Sequence, residues 1–141
     1  ASAPSIVEMC AELPEYAVPP TLVHGDLHAR NALMNGHDLV LIDWSEACVT
    51  HPFMDAFMIY NEQDVSVRDR MRDSYLSRWA TFESFDRLLE LWSLCGVVHA
   101  MHHAVSYGSI LRHTPEHARG DLANTLPFLL RKALRYLHEP A

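Results

Sequence analysis

At 141 residues the chain is long enough for one domain with its own core, and a 49% hydrophobic composition excludes a disordered segment. Lys+Arg of 11 against Asp+Glu of 18 give a formal net charge of −7, which argues against a nucleic-acid surface and is compatible with a cationic ligand or a metal-bound anion. The cysteines, Cys10, Cys48 and Cys95, are odd in number and form no CxxC, so free thiols in a reducing compartment are expected.

Residues 5–13 read as a short helix ended by Pro14, and "AVPP" (17–20) as a linker. Thr21 to Val23 is a short extended segment followed by a polar loop, 24–31. The apolar runs "ALM" and "LVLID" flank "NGHD", and Asn35-Gly36 is a strong hairpin signal, so residues 32–34 and 39–43 should pair as antiparallel strands. Pro52 suits the start of a helix in "PFMDAFMIY". Val67, Met71, Tyr75 and Trp79 make a stripe on a helix over 66–80. A long helix should cover 84–112. Its run "LLELWSLCGVVHAMHHAV" (Leu88 to Val105) contains Glu90 and three histidines, which makes it a buried helix and not a membrane span. Residues 118–138 place Leu122, Leu126, Leu129, Leu130, Ala133, Leu134 and Leu137 on one helical face, with Pro127 expected to kink or restart the helix near Thr125. The N-terminal residues show neither a basic n-region nor an apolar h-region, so no signal peptide and a cytoplasmic location are expected. The fold class is α+β and mostly helical: a small hairpin carrying polar loops, packed on four or five helices.

The chemistry concentrates in "TLVHGDLHARNALMNGHDLVLIDW". A hairpin brings together the residue before its first strand and the residue after its second, so Asn31 and Asp43 should converge, with Asp26 nearby. Two oxygen side chains meeting there suit a hard cation such as Mg²⁺. A further carboxylate outside the metal shell can orient a substrate hydroxyl and accept its proton, which completes the parts of a phosphoryl-transfer site. Each residue alone is better read as a turn former; the combined spacing favours the site.

The segments "HGDLHARN", "LIDW" and "HPFMD" resemble the aminoglycoside phosphotransferase and choline-kinase-like superfamily, distant relatives of the protein kinases. That family's pattern is H-G-D-x-x-x-x-N, a hydrophobic strand ending in I-D-W or similar, then D or H before P-x-x-D. It is met by His24, Gly25, Asp26, Asn31, Ile42, Asp43, Trp44, His51, Pro52 and Asp55. The resemblance implies a protein-kinase-like fold that transfers the γ-phosphate of ATP or GTP to a hydroxyl of a small acceptor such as an aminoglycoside, amino alcohol or sugar. It implies Asp26 as the base, and Asn31 and Asp43 as ligands of the Mg²⁺ that bridges the nucleotide phosphates. Asp55 would anchor the catalytic loop and His24 would hold its shape. His28 stands where protein kinases keep a lysine near the transferred phosphate, and either touches that phosphate or holds the loop. The helices after residue 60 resemble the C-terminal part of bacterial members, and related kinases build the acceptor pocket from these helices, so His99 and His103 are candidates to line it; Glu46, just past Asp43, is read either as meeting a cationic acceptor or as a solvated loop carboxylate.

One departure is large. Family members place a lobe of about a hundred residues before this loop, supplying a phosphate-covering loop and a lysine. Here 23 residues precede His24, the single lysine is Lys132, and no Gly-rich loop exists. Residues 1–141 are therefore expected to form the C-terminal catalytic lobe without its N-terminal nucleotide-binding lobe, to bind nucleotide poorly, and to self-associate through an apolar patch near the hairpin. The alternative is a non-catalytic binding or regulatory module, against which the intact Asp26, Asn31 and Asp43 argue. "GDLH" also fits a metallophosphatase, but the GDxxD and GNH segments of that family are absent. His99, His102 and His103 form an HxxHH cluster for which satisfied core or cleft histidines are favoured over a zinc pair. Trp92 and Tyr107 read as core sooner than as stacking platforms.

Overall fold

The computed structural model describes residues 3–120 and 122–138. Its elements run α1 (Ala3–Glu12), β1 (Thr21–Val23), β2 (Ala32–Asn35), β3 (Asp38–Leu41), β4 (Cys48–Thr50), α2 (Phe57–Tyr60), α3 (Val65–Leu76), α4 (Phe85–His113) and α5 (Leu122–His138), joined in places by short 3₁₀ turns. Among the described residues no helix is long and apolar enough to cross a membrane. The chain divides into two compact units, Glu15–Glu90 and a second made of the residues up to Pro14 and from Leu91 onward.

In the first unit β2 and β3 form the expected hairpin, with Leu33 opposite Val40 and Met34 opposite Leu39. The turn is shifted by one residue from the Asn-Gly expectation. Asn35 and Asp38 pair, so Gly36 and His37 are the two loop residues, and Gly36 takes the positive φ (66°) that the first position of such a turn demands. A second ladder pairs β1 antiparallel to β4, with Leu22 opposite Val49. Leu33, Met34, Leu39 and Val40 are all exposed, on both faces of the hairpin.

α3 begins where Asp64 accepts from the backbone N–H groups of Ser66 and Val67, at 2.9 and 3.1 Å. The expected stripe is real: Tyr75 and Trp79 close around Phe53, which is fully buried, at ring distances of 5.5 and 6.1 Å. The Tyr75 hydroxyl also donates to the carbonyl of Pro52 at 3.0 Å. The 3₁₀ turn Pro52–Asp55 is thereby tied to α3.

In the second unit Leu91, Trp92, Cys95 and Ala100 of α4 are buried, as are Leu129, Ala133 and Tyr136 of α5. One expectation for α5 is corrected and another narrowed. The helix does not restart at Pro127 but continues through it as one element; proline's missing N–H costs a single bond there, to the carbonyl four residues back. The buried face takes Lys132 and Tyr136, whereas Leu130 and Leu134 are exposed. Burial, and next to it the charge of Arg135, lowers the Lys132 ammonium to about 8. The reading of Trp92 as core holds.

Candidate active site

The loop 24–31 hangs from its backbone. The carboxylate of Asp55 accepts from the N–H of His24 at 2.5 Å and from that of Gly25 at 2.9 Å. Gly25 sits at φ 83°, and a Cβ there would lie 2.3 Å from the carbonyl oxygen of Glu46. Only glycine fits a backbone held that close in that conformation. Asp55 is positioned in turn by its 3₁₀ turn, which His51 starts: its Nδ1 accepts from Phe53 N–H at 3.3 Å. Burial lowers the His51 imidazole to about 4, so it caps the turn as a neutral ring.

His24 braces the loop against the end of β3. The N–H of Asp26 donates to its Nδ1 at 3.3 Å, and Nε2 lies 2.8 Å from the carbonyl of Ile42. That network sets the tautomer: Nδ1 accepts and Nε2–H donates. The ring is 1% exposed and packs at a tilt, 4.7 Å between centroids, against Trp44, whose Nε1–H donates to the carbonyl of Leu41. The expectation that His24 holds the shape of the loop thus gains a geometry, with one ring joining the backbones beside Asp26 and Asp43.

Asn31 closes the loop. Its N–H donates to the carbonyl of His28 at 2.9 Å, and its own carbonyl accepts from Ile42 N–H at 3.0 Å. Its side-chain nitrogen donates to the carbonyl of Asp26 at 3.0 Å and lies 3.4 Å from Asp26 Oδ2. With the nitrogen so used, the amide oxygen is the atom left to face a ligand. Asp43 immediately follows Ile42, whose N–H donates to Asn31, so the backbones of Asp43 and Asn31 lie close. Asp43 adopts φ 60° and ψ 63°, the one positive φ outside glycine among the described residues. Aspartate tolerates that left-handed conformation, and such strain concentrates at functional sites. Ser45 donates its hydroxyl to Asp43 Oδ1 at 2.9 Å.

Among the described residues no group of three or more His, Cys, Asp or Glu could hold a metal ion. The residues that could hold one are the Asp43 carboxylate and the Asn31 amide oxygen, two donors only. That suits Mg²⁺, which keeps waters and takes phosphate oxygens instead of a full protein cage.

His28 Nε2 lies 3.5 Å from Asp26 Oδ2. Glu46 is exposed at the end of the turn Trp44–Glu46. His99 and His103 belong to the other unit, on α4, with His99 buried, His103 half-buried and their rings 4.5 Å apart. Sequence reasoning missed Tyr75 and the capping part of His51. The H-P-x-x-D spacing was the available signal for His51; Tyr75 had none beyond its helical stripe.

Among curated proteins and among solved structures none matches the chain. The profile of the APH phosphotransferase enzyme family matches residues 5–91, more than half of the 141, and takes in the whole loop, the hairpin and the Pro52–Asp55 turn. The chain belongs to the phosphotransferase enzyme family.

Proposed function

We propose that this chain carries the catalytic lobe of a small-molecule kinase that moves the γ-phosphoryl group of ATP or GTP to a hydroxyl of a small acceptor. The observation that carries the reading is the placement of Asp26: its carboxylate side chain is 46% exposed, on a loop whose backbone is fixed from three sides by Asp55, His24 and Asn31. A base must be reachable and must not wander, and this one meets both demands.

Asp26 orients the acceptor hydroxyl and takes its proton. The acceptor oxygen forms a bond to the γ-phosphorus as the bond from that phosphorus to the nucleoside diphosphate oxygen breaks. Asn31 and Asp43 would hold Mg²⁺, which when bound neutralises charge on the phosphates. Glu46 is assigned to a cationic acceptor, such as an aminoglycoside or amino alcohol. In this reading the phosphate-covering loop and its lysine belong to an N-terminal lobe. The chain's single lysine, Lys132, is buried on α5.

The test is a pair of substitutions, made in the protein joined to its N-terminal lobe because residues 1–141 alone are expected to be inactive, and assayed for transfer from ATP to kanamycin, choline and ribose. Asp26→Asn should lower kcat by about a hundredfold or more with the KM for ATP little changed. Asp43→Asn should also raise the KM for Mg·ATP. Equal, mild effects from both would defeat the division of roles.

A further inference from the structure

Resting on that reading, we propose that His28 is a positioning residue for Asp26: it holds one carboxylate oxygen and leaves the other as the atom that takes the acceptor's proton.

His28 precedes the 3₁₀ turn Ala29–Asn31 in extended conformation, φ −144° and ψ 168°, and its Nδ1 accepts from Arg30 N–H at 3.2 Å. A ring nitrogen that accepts carries no proton, so the neutral imidazole bears its hydrogen on Nε2. Nε2 stands 3.5 Å from Asp26 Oδ2, and the Asn31 side-chain nitrogen stands 3.4 Å from the same oxygen. One carboxylate oxygen therefore lies within 3.5 Å of two side-chain nitrogens, of which the Asn31 one is in hydrogen-bond geometry. Oδ1 makes no hydrogen bond among the described residues. At these lengths the two donors orient the carboxylate more than they bind it, and catalytic contacts of this kind shorten when substrate arrives.

Two consequences follow. The ring cannot turn Nε2 to a transferred phosphate while it faces Asp26, so the contact with the base displaces the phosphate role open to this position. During transfer the acceptor's O–H proton passes to Oδ1 as the acceptor oxygen attacks phosphorus, and His28 neither gains nor loses a proton. His28 and Asp26 side chains are 33% and 46% exposed, so an acceptor reaches Oδ1 without displacing the ring.

The two functions of the ring can be separated with isosteric amides. His28→Asn puts an acceptor where Nδ1 stands, which keeps the turn cap, and has nothing at the place of Nε2. His28→Gln puts an N–H near the place of Nε2 and abandons the cap. The proposal expects His28→Asn to lower kcat about tenfold with both KM values and the thermal midpoint unchanged. It expects His28→Gln to keep kcat within about threefold while the midpoint falls. The reverse pattern would reduce His28 to a cap, and a raised KM for ATP in both variants would put the ring on the phosphate; either overturns the proposal. Nitrogen-15 spectra of the chain supply a readout that needs no activity. His28 should carry its proton on Nε2, and Asp26→Ala should speed exchange of that proton several-fold. A proton on Nδ1, or exchange indifferent to Asp26→Ala, overturns the pairing. If no acceptor is phosphorylated but the spectra behave as expected, the phosphotransferase reading fails and the pairing stands.

Discussion

Removing the carboxylate of Asp55 should unhinge the loop it holds, and the size of the effect follows from two bonds. Asp55 accepts from His24 N–H at 2.5 Å and Gly25 N–H at 2.9 Å, both part-buried. A hydrogen bond to a charged acceptor contributes about 1.5–3 kcal/mol. Partial burial puts each near the lower end, so Asp55→Ala should cost about 3 kcal/mol. Asp55→Asn keeps one acceptor oxygen but turns an NH₂ toward the second backbone donor. It loses one bond and adds an opposition of donors, for roughly 2 kcal/mol. Urea denaturation with linear extrapolation measures both, and amide exchange at His24 and Gly25 reports where the damage lies. If Asp55→Ala stays within about 0.5 kcal/mol of the parent with both amides still protected, the clamp is not what fixes the loop, and the account of how Asp26 is placed falls with it.

Gly25→Ala should cost roughly 2–5 kcal/mol, joining the strain of a positive φ to a Cβ pressed against the Glu46 carbonyl; a thermal midpoint equal to the parent's would refute that close approach. His51 has a folded-state value of about 4 against 6.5, so the unfolded chain binds the extra proton between those values; its contribution is whole above pH 6.5 and falls away toward pH 4. That contribution is at most about 3 kcal/mol, and the same pH series on His51→Asn, which retains a cap acceptor but cannot titrate, should lose the corresponding slope. Titration calorimetry of the 141-residue chain with ATP and Mg²⁺ should give a Kd of about 1 mM or weaker, because in the proposed reading Asn31 and Asp43 would reach the phosphates from one side only and the opposing contacts would come from an N-terminal lobe. Micromolar binding would mean that this chain carries a complete nucleotide site.

The loop and the hairpin that frame the candidate site were legible because their spacing is local. Asp26 to Asn31 is one loop, and the hairpin that brings Asp43 back is announced by Asn35-Gly36, even though the turn settles one residue later on Gly36 and His37. Non-local features left no trace. β4 is three residues long and pairs with a strand 27 residues upstream, so no local pattern could reveal it. The left-handed conformation of Asp43 is imposed by what surrounds it, since aspartate itself only permits it. On α5 the periodicity identified a buried stripe but misjudged its centre. Lys132 carries enough hydrocarbon to occupy a buried position, and that rotated Leu130 and Leu134 outward.

The way the loop is held also says which substitutions it should tolerate. Leu27 does not lock it by packing: the residue borders a cavity of about 420 Å³ that Pro52, Met71, Tyr75 and Trp79 also line. A side chain beside unfilled space contributes less than one in a close-packed core, because it forfeits contacts on its open side. Fixation falls instead to backbone groups: two N–H donors on Asp55, one on His24, and a carbonyl facing the Asn31 amide. Such bonds are directional and have one geometry, whereas an apolar wall next to a void accepts several. Changes of size at Leu27 should therefore be absorbed by the cavity. Changes at Gly25, Asp55 or Asn31, where no other atom can take over the bond or the space, should move Asp26 itself.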